Sequence, residues 1–280
     1  MPTALVTGNK GFLGRHFQKE LQNRGYTVKG IDLPHDYVAL SSTLPRYDLI
    51  VHCAAVVGGR ATIEGSPGYL AAKNLQLDGA LWEHSLRTKS GRVLYISSSA
   101  VYPIDLQTKP YRLSEDDFNT GSPDETYGWT KLIGEITAEA VRKEGIPVTV
   151  IRPMSGYHPT EQSLDYPFPS IIQRVKNKEN PIEIWSDSVR DFIHVDDVVN
   201  GALALVEAEV NESVNLCTGT STSFSQLAKM AARISGYEAD IKVLEDKPKG
   251  VYFRVGNPLK MSKYYIPKIS VEQALKEVFE

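Results

Sequence analysis

Tyr127 and Lys131 stand four residues apart in the stretch SPDETYGWTKLIGE, which runs from Ser122 to Glu135. Residues at that spacing share one face of a helix, so a phenol and an ammonium would point into the same site. A phenol ionises near pH 10 in water, too high for a base at neutral pH, and a neighbouring cation lowers that value. The pair therefore supplies a general acid/base, provided the rest of the chain builds a site around it. Taken alone, Y-x-x-x-K is also the pattern of an ordinary solvated helix face. The second chemical signal is TGNKGFLG, with Gly8, Gly11 and Gly14 spaced three apart. Glycines let a backbone approach an anion closely, and the free N–H groups and dipole of a following helix favour it.

Both signals depend on the elements around them. Ser122 reads as an N-cap, Pro123 as the first helical residue, and Glu125, three after Ser122, as the partner that completes a capping box. Ala4–Thr7 reads as a short strand feeding the glycines. Phe12 then opens a helix with Leu13, Phe17 and Leu21 on one face and Gly25 as its stop. The next strand, Thr27–Ile31, ends at Asp32, 18 residues after Gly14. A carboxylate there accepts hydrogen bonds from an adenosine ribose and repels a 2′-phosphate, which points to NAD over NADP. Asp36–Leu40 reads as a short third strand and Ser41–Arg46 as a reduced crossover. Asp48–Ala55 is a buried parallel strand ending in small residues, followed by a loop, VVGGR, from Val56 to Arg60. A long helix is expected over Pro67–Thr88, with Asn74 joining neighbouring elements. Arg92–Ile96 is a strand that ends in Ser97, Ser98 and Ser99, hydroxyls placed where open α/β sheets hold their ligands. Further on, Val148–Arg152, Pro181–Trp185 and Ser213–Cys217 read as strands. Pro169–Lys178, Val195–Glu207, Ser223–Ser235 and Ser270–Phe279 read as helices.

Composition narrows the field. At 280 residues, 41% hydrophobic and 23% charged, the chain is an ordinary globular protein large enough for one big or two modest domains. A net charge of -3 gives no sign of a nucleic-acid or anionic-membrane partner. MPTALVTG does not read as a signal peptide, and no stretch approaches the ~20 apolar residues that span a bilayer. Cys53 and Cys217 share no metal-ligand spacing and read as reduced core residues, so the expectation is a cytoplasmic protein without a metal.

Taken together and in this order, TGxxGFLG, the acidic residue after the second strand, HxAA, the Ser-Ser-Ser strand end and YxxxK resemble the extended short-chain dehydrogenase/reductases. More narrowly they resemble the nucleotide-sugar epimerase/dehydratase branch, to which VRDFIHVDDV at Val189–Val198 is also similar. The resemblance implies an α/β fold: a doubly wound parallel Rossmann sheet from residues 1–152 plus 190–210 that binds NAD. It further implies a smaller α/β lobe, residues 153–189 plus 211–280, that binds a nucleotide-diphosphate sugar. On this footing Tyr127 is the acid/base, Lys131 holds the nicotinamide ribose and lowers the tyrosine pKa, and Ser98 is the hydroxyl partner, with Ser99 next to it. Gly8, Gly11, Phe12, Leu13, Asp32, Ala54, Ala55, Val57 and Pro153 are implied at the cofactor, and Arg190 and Arg254 at the substrate diphosphate. A homodimer through the Pro67–Thr88 helix and the Tyr127 helix is implied as well.

The departures are as informative. Dehydratases of this branch carry Thr-Asp-Glu at the strand end, decarboxylating relatives a Glu, and enzymes that epimerise at C3 and C5 usually a Cys where this chain has Ala100. Ser155 and His158 replace an Asn and a Gly of the usual pattern. With a hydroxyl, a tyrosine and NAD, the chemistry left is reversible oxidation at an alcohol carbon. The expectation is a nucleotide-sugar 4-epimerase working through a 4-keto intermediate. The alternatives are a 4-ketoreductase or dehydrogenase with exchanging cofactor, and a non-catalytic NAD-sensing protein of the same fold.

Overall fold

The computed structural model describes residues 1–32, 34–58, 65–244, 246–247 and 249–280, without the side chains of 34–36. Gly59 and Arg60 of the expected VVGGR loop lie outside the described residues. The chain opens with β1 (Thr3–Thr7), α1 (Phe12–Asn23), β2 (Thr27–Ile31), α2 (Pro34–Leu40), β3 (Leu49–His52), α3 (Pro67–Thr88) and β4 (Val93–Ile96). It continues through β5 (Arg112–Leu113), α4 (Glu125–Lys143), β6 (Val148–Pro153), β7 (Ser155–Tyr157), α5 (Pro167–Lys176), β8 (Ile182–Ile184), β9 (Val189–Arg190) and β10 (Phe192–His194). The last elements are α6 (Val195–Glu207), β11 (Ser213–Leu216), β12 (Thr222–Ser223), α7 (Phe224–Ile234), β13 (Ile241–Val243), β14 (Phe253–Gly256) and α8 (Val271–Phe279).

Six strands form one parallel sheet in the order β11-β6-β4-β3-β1-β2. Its inner strands β3, β4 and β6 are buried along almost their whole length because both faces are covered. Phe17 and Leu21 of α1 join Val198 and Ala202 of α6 on one face, and Leu77 and Leu81 of α3 join Ala138 and Val141 of α4 on the other. The winding reverses between β1 and β3, and ligands of doubly wound sheets sit at the carboxyl ends beside such a reversal. A second core holds Tyr157, Phe168, Ile172, Phe224, Leu227 and Leu275 around the β8/β13 pair. A further four-stranded sheet has the order β12-β9-β14-β5. There the buried Asp191 carboxylate accepts from Thr218 N and Oγ1, Gly219 N and Gly256 N.

Three expectations are corrected. Asp36–Leu40 is the end of helix α2, not a strand: Tyr37 is buried while Val38 and Leu40 are exposed, and Pro34 suits the helix's first turn. The Tyr127 helix starts at Glu125, capped by Asp124 without a side-chain hydrogen bond, so the Ser122–Glu125 capping box does not form. Ser213–Leu216, expected in the small lobe, pairs with β6 in the large sheet, because Val214, Asn215 and Leu216 are all buried. The remaining expected elements match to within two or three residues, and Ser223 and Ser270 each head a capping box, with Gln226 and Gln273.

Candidate active site

The glycine turn joins β1 to α1 at the sheet reversal. Gly8 has φ +68, and a Cβ on it would lie 2.7 Å from Ala54 N, so the turn packs directly on the end of β3. A Cβ on Gly14 would come within 2.0 Å of Gly8 O. Gly11 caps α1 without any side-chain hydrogen bond, and the first turn, where Phe12 and Leu13 stand, holds no acidic residue. The helix therefore offers unsatisfied N–H groups and an uncompensated dipole to an anion. Asp32 projects from the tip of β2 and accepts from Lys10 N at 2.7 Å, which ties the carboxylate to the same turn. These residues fit a dinucleotide. Ala54 and Ala55 follow β3, and Pro153 ends β6, while Val57 is exposed and faces the neighbouring cavity. Asn74 has the structural role expected of it, accepting from Val56 N at 2.7 Å and donating to Val56 O at 3.0 Å.

That cavity, of about 530 Å³, lies between the large sheet and the second core, within the usual range for a small-molecule site. Ser98, Ser99, Ala100, Tyr127, Arg190 and Arg254 all line it. The Ser98 hydroxyl accepts from Ala100 N at 3.1 Å and lines the cavity together with the Tyr127 phenol. Burial, and then the Asp78 carboxylate, push Tyr127 well above the ordinary phenol value, while the neighbouring Ser98 hydroxyl pulls it back. The net direction at Tyr127 is therefore upward, whatever lowering Lys131 was expected to supply. Lys131 is buried, donates to Ile96 O at 2.9 Å and lies 4.9 Å from the centre of the Tyr95 ring.

Behind the strand end is a buried ion pair. Arg152, the residue before Pro153, bonds both oxygens of Glu135, the closest at 2.7 Å, and also Tyr102 Oη at 2.9 Å. The same Glu135 accepts from Ser97 Oγ and, at 3.0 Å, from Ser213 Oγ. Strand β4, strand β6, strand β11 and helix α4 are thus locked together immediately next to Ser98.

On the substrate side, Arg190 lies 5.4 Å from the centre of the Phe224 ring. Arg254 is held on two nitrogens, by Gln107 Oε1 at 2.6 Å and Asp124 Oδ2 at 2.7 Å. Sequence reasoning missed Asp124 as a wall of this cavity, together with Gln162, Tyr166 and Trp185. Glu125 was read from the sequence only as the partner of a capping box at Ser122. Glu125 instead takes φ +56, which a non-glycine residue adopts at a cost. The stretch 162–185 carries no spacing that would mark individual side chains.

Residues 4–217 match a model of the NAD dependent epimerase/dehydratase family. The chain belongs to that family. Among curated relatives it is 29% identical over 297 residues to dTDP-4-dehydro-6-deoxy-D-allose reductase of Streptomyces sp, spanning 93% of this chain and 90% of that one. GDP-L-fucose synthase 1 of Arabidopsis thaliana is 24% identical, over 98% and 91% of the two chains. Among solved structures, UDP-glucuronic acid 4-epimerase from Bacillus cereus in complex with UDP-glucuronic acid and NAD superposes with a TM-score of 0.85. The identity is 27%, and the match covers 98% of this chain and 96% of that one. Among the described residues of this NAD-dependent nucleotide-sugar family member, no helix is long and apolar enough to cross a membrane.

Proposed function

We propose that this chain is a nucleotide-sugar 4-epimerase that works on NAD, with UDP-hexoses and UDP-hexuronates as the first substrates to test. The observation that carries the reading is the make-up of the strand end. Ala100 is buried in the cavity wall beside Ser99, so the position that elimination or carbon deprotonation would need to ionise is a methyl group. Tyr127 and Ser98 remain next to it. Bound NAD supplies a two-electron acceptor that is restored within each cycle. Ser98 orients the sugar 4-hydroxyl, and Tyr127, reacting as the phenolate, takes its proton at Oη as C4 is oxidised to a ketone. The cavity leaves the keto-sugar room to present its other face, and Tyr127 returns the proton to the new 4-hydroxyl. Lys131 keeps positive charge beneath the site, and Arg190 and Arg254 receive the diphosphate. The residues of the glycine turn, with Asp32, Ala54, Ala55, Val57 and Pro153, hold the cofactor.

The likeness to a 4-keto-sugar reductase favours a second reading, a 4-ketoreductase whose cofactor exchanges. Incubation with single UDP-sugars and no added cofactor separates the two. Inversion at C4 supports the epimerase; no inversion of any UDP-sugar, with NADH consumed when a 4-keto nucleotide sugar is supplied instead, sinks it. A second copy of the chain would dock on the α3/α4 face, where Trp129, Ile133 and Ile136 are exposed at helical spacing beside Leu75. Sedimentation tests that: a monomer at micromolar concentration removes the dimer.

A further inference from the structure

Directly behind Tyr127 and Lys131 lies a cluster of buried titratable groups that the proposed chemistry does not use. Lys131 is 2% exposed, and among the described residues no carboxylate comes within ion-pair distance of its ammonium. A buried ammonium without countercharge is costly. Its charge rests against the face of Tyr95, 4.9 Å from the ring centre, and the Tyr95 phenol donates to Asp78 Oδ2 at 2.6 Å. Asp78 is 4% exposed on α3. On its other side, His52 Nε2 stands 3.3 Å from Asp78 Oδ1 without the alignment of a hydrogen bond, and His52 Nδ1 is held by Thr7 Oγ1 at 2.9 Å. The His52 and Tyr95 rings stack at 6.1 Å. Helix α4 makes room for this arrangement with Gly134, where a Cβ would lie 2.0 Å from Tyr95 Oη and 2.9 Å from Asp78 Oδ2. Any larger residue there would break the Tyr95–Asp78 bond.

We propose that Asp78 is the buried counter-ion of Lys131, acting through Tyr95 as a positioning residue for the Tyr127–Lys131 pair. The inference rests on the reading of Tyr127 as the acid/base. Burial alone would raise the Asp78 pKa, but Lys131 and the contacts from His52 and Tyr95 outweigh it and hold the carboxylate ionised. The groups that face it are His52 from β3, Tyr95 from β4, Tyr37 from α2, and Lys131 and Tyr127 from α4, with Glu135 beyond Tyr95. Asp78 thus offsets the Lys131 charge across the Tyr95 ring and raises the Tyr127 phenol. One buried carboxylate sets both halves of the pair.

The test is the pH–rate profile of C4 inversion for the unaltered chain, Asp78→Asn, Tyr95→Phe and Tyr127→Phe. Asparagine keeps the shape of the carboxylate and removes its charge. The acid limb is expected to move to lower pH, so that at a fixed pH on that limb the rate rises several-fold relative to the variant's own plateau. The alkaline limb is expected to move the same way, because every group beside Asp78 loses a neighbouring negative charge. Tyr95→Phe keeps the ring under Lys131 but deprives Asp78 of a donor, and is expected to shift both limbs the same way by less. It carries the test if Asp78→Asn does not fold. A uniform fall in rate with both limbs unmoved, while Tyr127→Phe is inactive, overturns this inference alone. An unaltered chain that inverts no UDP-sugar, or a Tyr127→Phe variant that keeps its rate, overturns the parent reading and this one with it.

Discussion

Replacing Glu135 by Gln should cost this protein about 3 kcal/mol, although the two side chains have nearly the same volume. No cavity is created, so the whole effect is electrostatic. Removing one partner of a buried ion pair costs about 3–5 kcal/mol, because the other charge is left in the core. Arg152 is 2% exposed and would lose charge-assisted bonds from Nε and Nη2. Its Nη1 keeps Tyr102 Oη at 2.9 Å and Glu115 O at 3.3 Å, and the guanidinium keeps the Phe118 ring at 4.5 Å. Those remaining contacts place the expected cost at the low end of the range. With a urea slope of about 3 kcal/mol per molar, the unfolding midpoint should fall by about 1 M. The double variant Glu135→Leu/Arg152→Met should recover most of that loss, since apolar replacement of a buried pair is often neutral or better. A Glu135→Gln midpoint within ~0.2 M of the unaltered chain, the scale of a surface substitution, would refute the view that this pair stands uncompensated once broken.

Gly8→Ala should weaken NAD binding and lower stability by about 1–3 kcal/mol, given φ +68 and the 2.7 Å approach to Ala54 N; unchanged fluorescence titration with NAD would contradict this. Asn74→Ala removes both bonds to Val56 and should cost about 1–3 kcal/mol in urea unfolding, with a loss below ~0.5 kcal/mol counting against it. Burial raises the phenols of Tyr37, Tyr95, Tyr102 and Tyr127. Groups kept protonated in the folded state leave stability flat below pH ~10, where unfolded tyrosines ionise, and lower it above that. A urea midpoint that holds from pH 9 to 11 would argue otherwise. Arg190→Ala should weaken UDP binding by about tenfold or more in calorimetry, the loss of about 1.4 kcal/mol or more expected for a charged contact; an unchanged Kd would remove Arg190 from the diphosphate site.

The order of the chemical signals was legible because each rests on a local rule. The glycine turn, Asp32 at a strand tip and the four-residue spacing of Tyr127 and Lys131 carry their geometry with them. What was not legible depends on long-range packing. The stretch at Asp36–Leu40 offers no periodicity to distinguish a strand from a single helical turn, and the burial of Tyr37 among His52 and His84 decides it. Asp124 matches a helix start in sequence, and only Arg254, 130 residues away, turns it into a cavity wall. The local rule that a cation four residues off lowers a phenol is outweighed at Tyr127 by burial and Asp78. It cannot see the burial of the site, or Asp78 on a different helix.

The central claim is oxidation and reduction at C4 with a retained cofactor, and an isotope at that carbon tests it most directly. A UDP-sugar carrying deuterium at C4 is incubated with the purified chain, unlabelled free NAD and ordinary water until the C4 epimers reach equilibrium. Deuterium is expected to remain at C4 in both epimers. Its appearance in solvent or in the free cofactor pool, or the absence of any C4 epimer, would contradict the mechanism.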